Sequence, residues 1–95
     1  MAKKMIEKFM KGSLIEFTGH ADGYNIDEGT YKGIIKGVTM YMVDGILKLH
    51  LEISTIYESE LVDLVFRDED MDLDSMRIFP KNEALTFMLE NNISL

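Results

Sequence analysis

Apolar and polar residues alternate on both sides of Asp44-Gly45, in the stretches "TYKGIIKGVTMYMV" and "ILKLHLEIS". Asp-Gly between two such runs is typical of a β-hairpin with a two-residue turn. The turn sets the pairing, with Val43 opposite Ile46 and Val38 opposite Leu51. Both strands then present an apolar face, which we expect to point into the core. That face comprises Val38, Met40, Met42, Leu47, Leu49, Leu51 and Ile53.

The chain before the hairpin contains three predicted segments. Residues 2–11 have apolar side chains at helical spacing and lysines on the other side, which predicts a short helix capping one end of the core. "SLIEFTG", residues 13–19, predicts a strand, and the glycine-rich residues 19–29 predict a long loop. The first hairpin strand is about 14 residues long, and Gly33 and Gly37 predict a bend in it.

After the hairpin, residues 55–67 fit two structures. Thr55 and Glu58 match a helical capping box, whereas "ELVDLVF" equally fits a strand; we favour the helix. "MRIFP" predicts a short strand that ends at Pro80. The closing helix, "KNEALTFMLENN", should direct Leu85, Met88 and Leu89 inward, with Ile93 or Leu95 folding back over its end.

"GIIKGVTMYMV", residues 33–43, resembles the bent second strand of Sm-like proteins in the spacing of Gly33, Gly37 and Met42. The resemblance implies a small-barrel architecture. It does not carry over the RNA-binding residues of that family. Thr39 and Val43 stand where the family has Asp and Asn, and "MRIFP" lacks the family's Arg-Gly pair.

The predicted fold is therefore α+β: a small, curled, antiparallel β-sheet or an SH3/Sm-like barrel, with an N-terminal and a C-terminal helix. Residues 1–95 should form a single small globular domain.

The chain has no cysteine, so disulfides, thiolate metal sites and cysteine nucleophiles are excluded. It has neither an apolar run long enough to cross a bilayer nor a signal peptide, and we expect a cytoplasmic protein without membrane partners. The net charge is -7, and residues 49–95 contain eleven acidic but only three basic residues. Direct nucleic-acid binding is thus disfavoured, and a partner protein with a basic surface is favoured.

"FRDEDMDLDS", residues 66–75, concentrates this charge. It fails as a calcium loop, because the positions that need glycine and glutamate hold other residues in both registers. If the stretch were extended, alternate aspartates would point to one side at intervals of roughly 6.7 Å and could imitate a nucleic acid. Alternatively, they keep an edge soluble. The candidate partner-binding residues are Asp68, Glu69, Asp70, Asp72 and Asp74, supported by Glu58, Glu60 and Asp63.

No arrangement of residues indicates catalysis, a metal site or a cofactor. There are two histidines, and no serine lies in a nucleophile motif. We therefore predict a non-catalytic interaction protein, of a type that suits a phage or mobile-element inhibitor. The alternative is a small-ligand or nucleotide-binding module, or a homo-oligomeric small barrel. In the ligand-binding form of this alternative, the site would use His20, Asp22, Tyr24, Tyr41 and His50.

Overall fold

The computed structural model describes residues 9–21 and 26–95 of the chain. The elements in these residues are β1 Leu14–Ala21, β2 Ile26–Val43, β3 Ile46–Tyr57, β4 Glu60–Arg67, β5 Met71–Ile78 and α1 Lys81–Glu90. The five strands form one antiparallel sheet, in the order β4-β3-β2-β1-β5. The 3-10 turn Asp68–Asp70 joins β4 to β5, and α1 follows β5. No helix in these two ranges is long and apolar enough to cross a membrane.

The predicted hairpin is confirmed, with its register. Val43 pairs with Ile46, and the ladder continues without a shift to Val38 and Leu51. Asp44 and Gly45 both have positive φ, 50° and 79°, as this type of hairpin turn requires. The predicted bend is also present, as a shift of register between residues 35 and 37.

The main core lies on the concave face of the sheet. Phe17 of β1 contacts both Tyr31 of β2 and Phe66 of β4. The predicted curled sheet is confirmed, but the alternative of a closed barrel is wrong, because β4 and β5 remain the edges of an open sheet. The other buried members of this core are Phe9, Ile15, Ile35, Leu49, Leu51, Ile53, Leu64 and Met71.

A second, smaller core lies on the opposite face, where α1 covers Leu14 and Ile34. The predicted closing helix is confirmed, and Met88 packs inward as predicted, but the other two residues predicted to point inward do not. Leu85 and Leu89 are exposed, by 51% and 81%. The small side chain of Ala84 is buried instead, with Phe87 and Met88 packed beside it. As predicted, the chain folds back after the helix and buries Ile93.

Two further predictions are corrected, and a third concerns a segment that lies mostly outside the described residues. Residues 60–67 form a strand, not a helix, because pairing with the edge of β3 buries Leu64 and Phe66. The loop predicted over 19–29 is wrong at both ends, since β1 continues to Ala21 and β2 begins at Ile26, and residues 22–25 lie outside the described residues. The helix predicted over 2–11 falls mostly outside the described residues, and Lys11-Gly12 form a turn.

The apolar face of the hairpin is confirmed, but the core does not cover all of it. Met40, Met42 and Leu47 are 45%, 63% and 37% exposed. The reason lies in the neighbouring strands. β1 reaches β2 only as far as Ile34, and β4 reaches β3 only as far as His50. The hairpin extends beyond the points where β1 and β4 end, so these strands do not flank its far end.

Candidate functional site

The acidic stretch does not form one ladder of carboxylates. Asp68, Glu69 and Asp70 lie in the 3-10 turn, and only Asp72 and Asp74 belong to β5. The condition for a regular strip, an extended chain from 68 to 74, is therefore not met. The stretch is still acidic, but its carboxylates are not regularly spaced.

The side chain of Asp70 is buried beside the side chains of Arg67 and His20. Its carboxylate accepts a hydrogen bond from Arg67 Nε at 2.8 Å, and His20 Nε2 lies 3.3 Å from its other oxygen. Only 7% of Asp70 is exposed. A buried carboxylate needs such partners, and this cluster connects the β4–β5 turn to the end of β1. We assign Asp70 a structural role.

A bulge interrupts β5 after the turn. Thr18 pairs with Asp72 and Glu16 pairs with Arg77, so four residues of β5 lie opposite one residue of β1. The Ser75 hydroxyl accepts a hydrogen bond from the Thr18 amide at 2.9 Å and donates one to the Asp72 carbonyl at 2.6 Å. In this bulge, the Ser75 hydroxyl takes the place of regular backbone pairing between β1 and β5. Asp72 and Asp74 are both exposed on this edge strand.

The remaining acidic candidates lie at the other edge of the sheet. Glu58 is in the β3–β4 turn, and Glu60 begins β4; both are exposed. Asp63 is also exposed, and its carboxylate accepts a hydrogen bond from the Ser54 hydroxyl across the β3–β4 pair. The sequence could not show that these residues share a sheet edge, since residues 55–67 also fitted a helix.

Most of these carboxylates have no basic partner among the described residues. Glu69 lies 3.4 Å from Arg67 Nη1. Within residues 9–21 and 26–95, no lysine or arginine forms an ion pair with any of the other exposed or half-exposed candidates. Those are Glu58, Glu60, Asp63, Asp68, Asp72 and Asp74. Their charge is thus not neutralised by the described part of the chain.

The alternative ligand site is not assembled as one cluster. Tyr41 and His50 do meet, with 3.0 Å between the hydroxyl oxygen and Nε2, and their ring centroids are 4.9 Å apart. His20 instead contacts Asp70. Asp22 and Tyr24 lie outside the described residues. The Tyr41–His50 pair occupies neighbouring positions on the polar face of the hairpin, as the register predicted.

An apolar groove of about 410 Å³ lies between residues 10–13 and α1, with Phe79 and Leu95 in its wall. No local sequence pattern predicts this groove, because its walls come from residues 10–13 and from residues 79–95, which are far apart in the chain. Within the described ranges, no group of three or more His, Asp or Glu side chains is arranged to hold a metal ion.

No protein-family model, no curated protein and no solved structure matches this chain.

Proposed function

We propose that this chain is a non-catalytic interaction protein that binds a basic surface of a partner protein through its exposed carboxylates. One observation carries the proposal: both edge strands of the open sheet present acidic side chains that have no basic partner among the described residues. Glu60 and Asp63 lie on one edge strand, and Asp72 and Asp74 lie on the other. Unpaired surface charge of one sign accelerates and orients association with a surface of the opposite sign.

The arrangement of these carboxylates bears on whether the chain imitates a nucleic acid or simply presents negative charge to a basic protein. A phage or mobile-element inhibitor that mimics nucleic acid is the narrower form of the proposal, and its support is reduced. The turn at residues 68–70 and the bulge in β5 break the regular spacing on which that imitation depended. Exposed negative charge, rather than a copied phosphate spacing, supports binding to a basic protein.

A competing explanation is that the carboxylates only prevent the edge strands from pairing with other chains. A charge-matched comparison separates the two. The test variant is Glu58→Gln, Glu60→Gln, Asp72→Asn and Asp74→Asn. The control variant, Glu28→Gln, Glu52→Gln, Glu83→Gln and Glu90→Gln, removes the same number of exposed charges elsewhere.

In the experiment, the wild type and both variants are immobilised and exposed to a lysate of the source cells. Quantitative mass spectrometry then compares the proteins that each chain retains. We expect a protein that the wild type and the control retain and that the test variant loses. Its affinity for the wild type should fall with salt more steeply than its affinity for the test variant. Equal retention by all three chains, or equal loss by both variants, would refute the proposal. Displacement of the retained protein by duplex DNA would support the narrower form.

A further inference from the structure

The far end of the β2–β3 hairpin is a two-stranded ribbon. On the outer side of β2, pairing with β1 ends at Ile34, and the last backbone hydrogen bonds join Ile35 to residues 12 and 13. On the outer side of β3, pairing with β4 ends at His50. Among residues 9–21 and 26–95, no strand pairs with residues 37–43 on that outer side of β2.

This ribbon exposes apolar side chains as well as backbone. Met40 and Met42 lie on its concave face, and Val43 and Ile46 flank the turn; all four are between 43% and 63% exposed. An isolated two-stranded ribbon is marginally stable in water, and it gains stability from a third strand or from a cover over its apolar face. A free strand edge is itself a template for another strand.

Charge distinguishes this edge from the other two. A second copy of a chain with net charge -7 would bring like charges together at β4, with Glu60 and Asp63, and at β5, with Asp72 and Asp74. Residues 37–43, "GVTMYMV", contain no charged side chain. Electrostatic repulsion therefore opposes self-pairing at β4 and β5 but not at the outer edge of β2.

The same residues are self-complementary in an antiparallel arrangement. With a two-fold axis through Met40, the side chain of Val38 lies opposite Met42 of the second copy, and Thr39 lies opposite Tyr41. Apolar residues then meet apolar residues on the concave face, and polar residues meet on the other.

The backbone also fits this register. Residues that flank a two-residue turn exchange both hydrogen bonds, so Val43, Tyr41 and Thr39 direct their backbone groups to β3. Val38, Met40 and Met42 direct theirs to the outer edge. Met40 and its symmetry mate would therefore exchange both N–H···O=C bonds across the axis.

We propose that a second copy of this chain pairs with the outer edge of β2, antiparallel over residues 37–43 and centred on Met40. The product is a dimer in which the two ribbons form one four-stranded sheet. This inference does not depend on the proposed function, since it uses a different edge of the sheet and different residues.

Sedimentation velocity over a range of concentrations tests the proposal on the full chain. We expect the wild type to reach twice its 10.9 kDa mass. Met42→Lys should weaken dimerisation by a factor on the order of 100, because a lysine would then lie opposite Val38 of the second copy, on the apolar face of the interface. Leu89→Lys is the matched control, since Leu89 is 81% exposed on α1, and it should leave the dimer intact.

A cysteine cross-link checks the register and does not depend on a destabilising variant. The chain has no cysteine. In Met40→Cys the two thiols should lie on the axis with their Cα atoms about 5.5 Å apart, within the range for a disulfide. Mild oxidation should give a covalent dimer from Met40→Cys and not from Leu89→Cys. A wild type that stays monomeric, a dimer unaffected by Met42→Lys, or equal cross-linking of both cysteine variants would overturn the proposal.

Discussion

The ring of Phe17 packs edge-to-face against that of Phe66, with centroids 4.9 Å apart, although β2 and β3 separate their strands in the sheet. Such a contact requires the sheet to curl so far that β1 and β4 face each other. The curl encloses a core on the concave face while leaving β4 and β5 unpaired with each other. The same geometry explains why a small chain buries a core and still has exposed strand edges.

This contact should contribute measurably to stability. Phe66→Ala should lower the free energy of unfolding by about 3–5 kcal/mol, since the side chain is fully buried. A double-mutant cycle with Phe17→Leu should give a coupling of about 0.5–1.5 kcal/mol between the rings. Urea denaturation measures both. Additive effects would show that the two rings do not interact in solution.

Two glycines of β2 should respond in opposite ways to alanine. A Cβ on Gly33 would lie 2.4 Å from the Ser54 carbonyl oxygen, whereas a Cβ on Gly37 would have nothing closer than 3.8 Å. Gly33→Ala should therefore destabilise the protein by about 1–3 kcal/mol through overpacking. Gly37→Ala should be neutral or stabilising by a few tenths of a kcal/mol, because it restricts the unfolded chain. Thermal unfolding compares them, and equal melting temperatures would contradict the close approach of β2 and β3.

The structural role of Asp70 predicts a difference between neighbouring aspartates. Asp70→Asn weakens the bonds to Arg67 and His20 inside a buried cluster, and it should cost about 1–3 kcal/mol of stability. Asp72→Asn changes an exposed side chain and should stay within about 0.5 kcal/mol of the wild type. Chemical denaturation of both variants measures the difference. If both behave alike, Asp70 is not buried and belongs with the surface carboxylates.

The β3–β4 turn holds two side chains in a strained backbone conformation. Glu58 and Ser59 have φ of 51° and 68°. Because glycine adopts this region without a steric penalty, Ser59→Gly should stabilise the protein by about 0.5–1 kcal/mol. The reverse change at the other hairpin, Gly45→Ser, should destabilise it by a similar amount, since Gly45 has φ of 79°. Melting temperatures that shift in the same direction would refute this account of the turns.

Local chemistry was sufficient to predict the hairpin. The Asp-Gly turn and the alternating residues on both sides determine its register and the identity of its apolar face, and both came out as predicted. The closing helix was also predictable, because its start after Pro80 and its end at Asn91-Asn92 are local signals.

Residues 55–67 show where local signals fail. Thr55 and Glu58 match a capping box, but the unpaired edge of β3 offers hydrogen bonds and a core contact for Leu64 and Phe66. The turn that makes this possible, Glu58-Ser59, contains none of the residues by which such turns are recognised. Tertiary pairing therefore overrode the local preference.

The apolar face of the hairpin and the region of concentrated negative charge can both be predicted from the chain alone, since they follow from the identity and spacing of neighbouring residues. Which of those residues are accessible depends on the folded chain. Asp70 is buried because Arg67 and His20 reach it, and Met42 is exposed because β1 and β4 end before they reach it. Burial depends on where distant segments of the chain end and meet, and no local pattern encodes that.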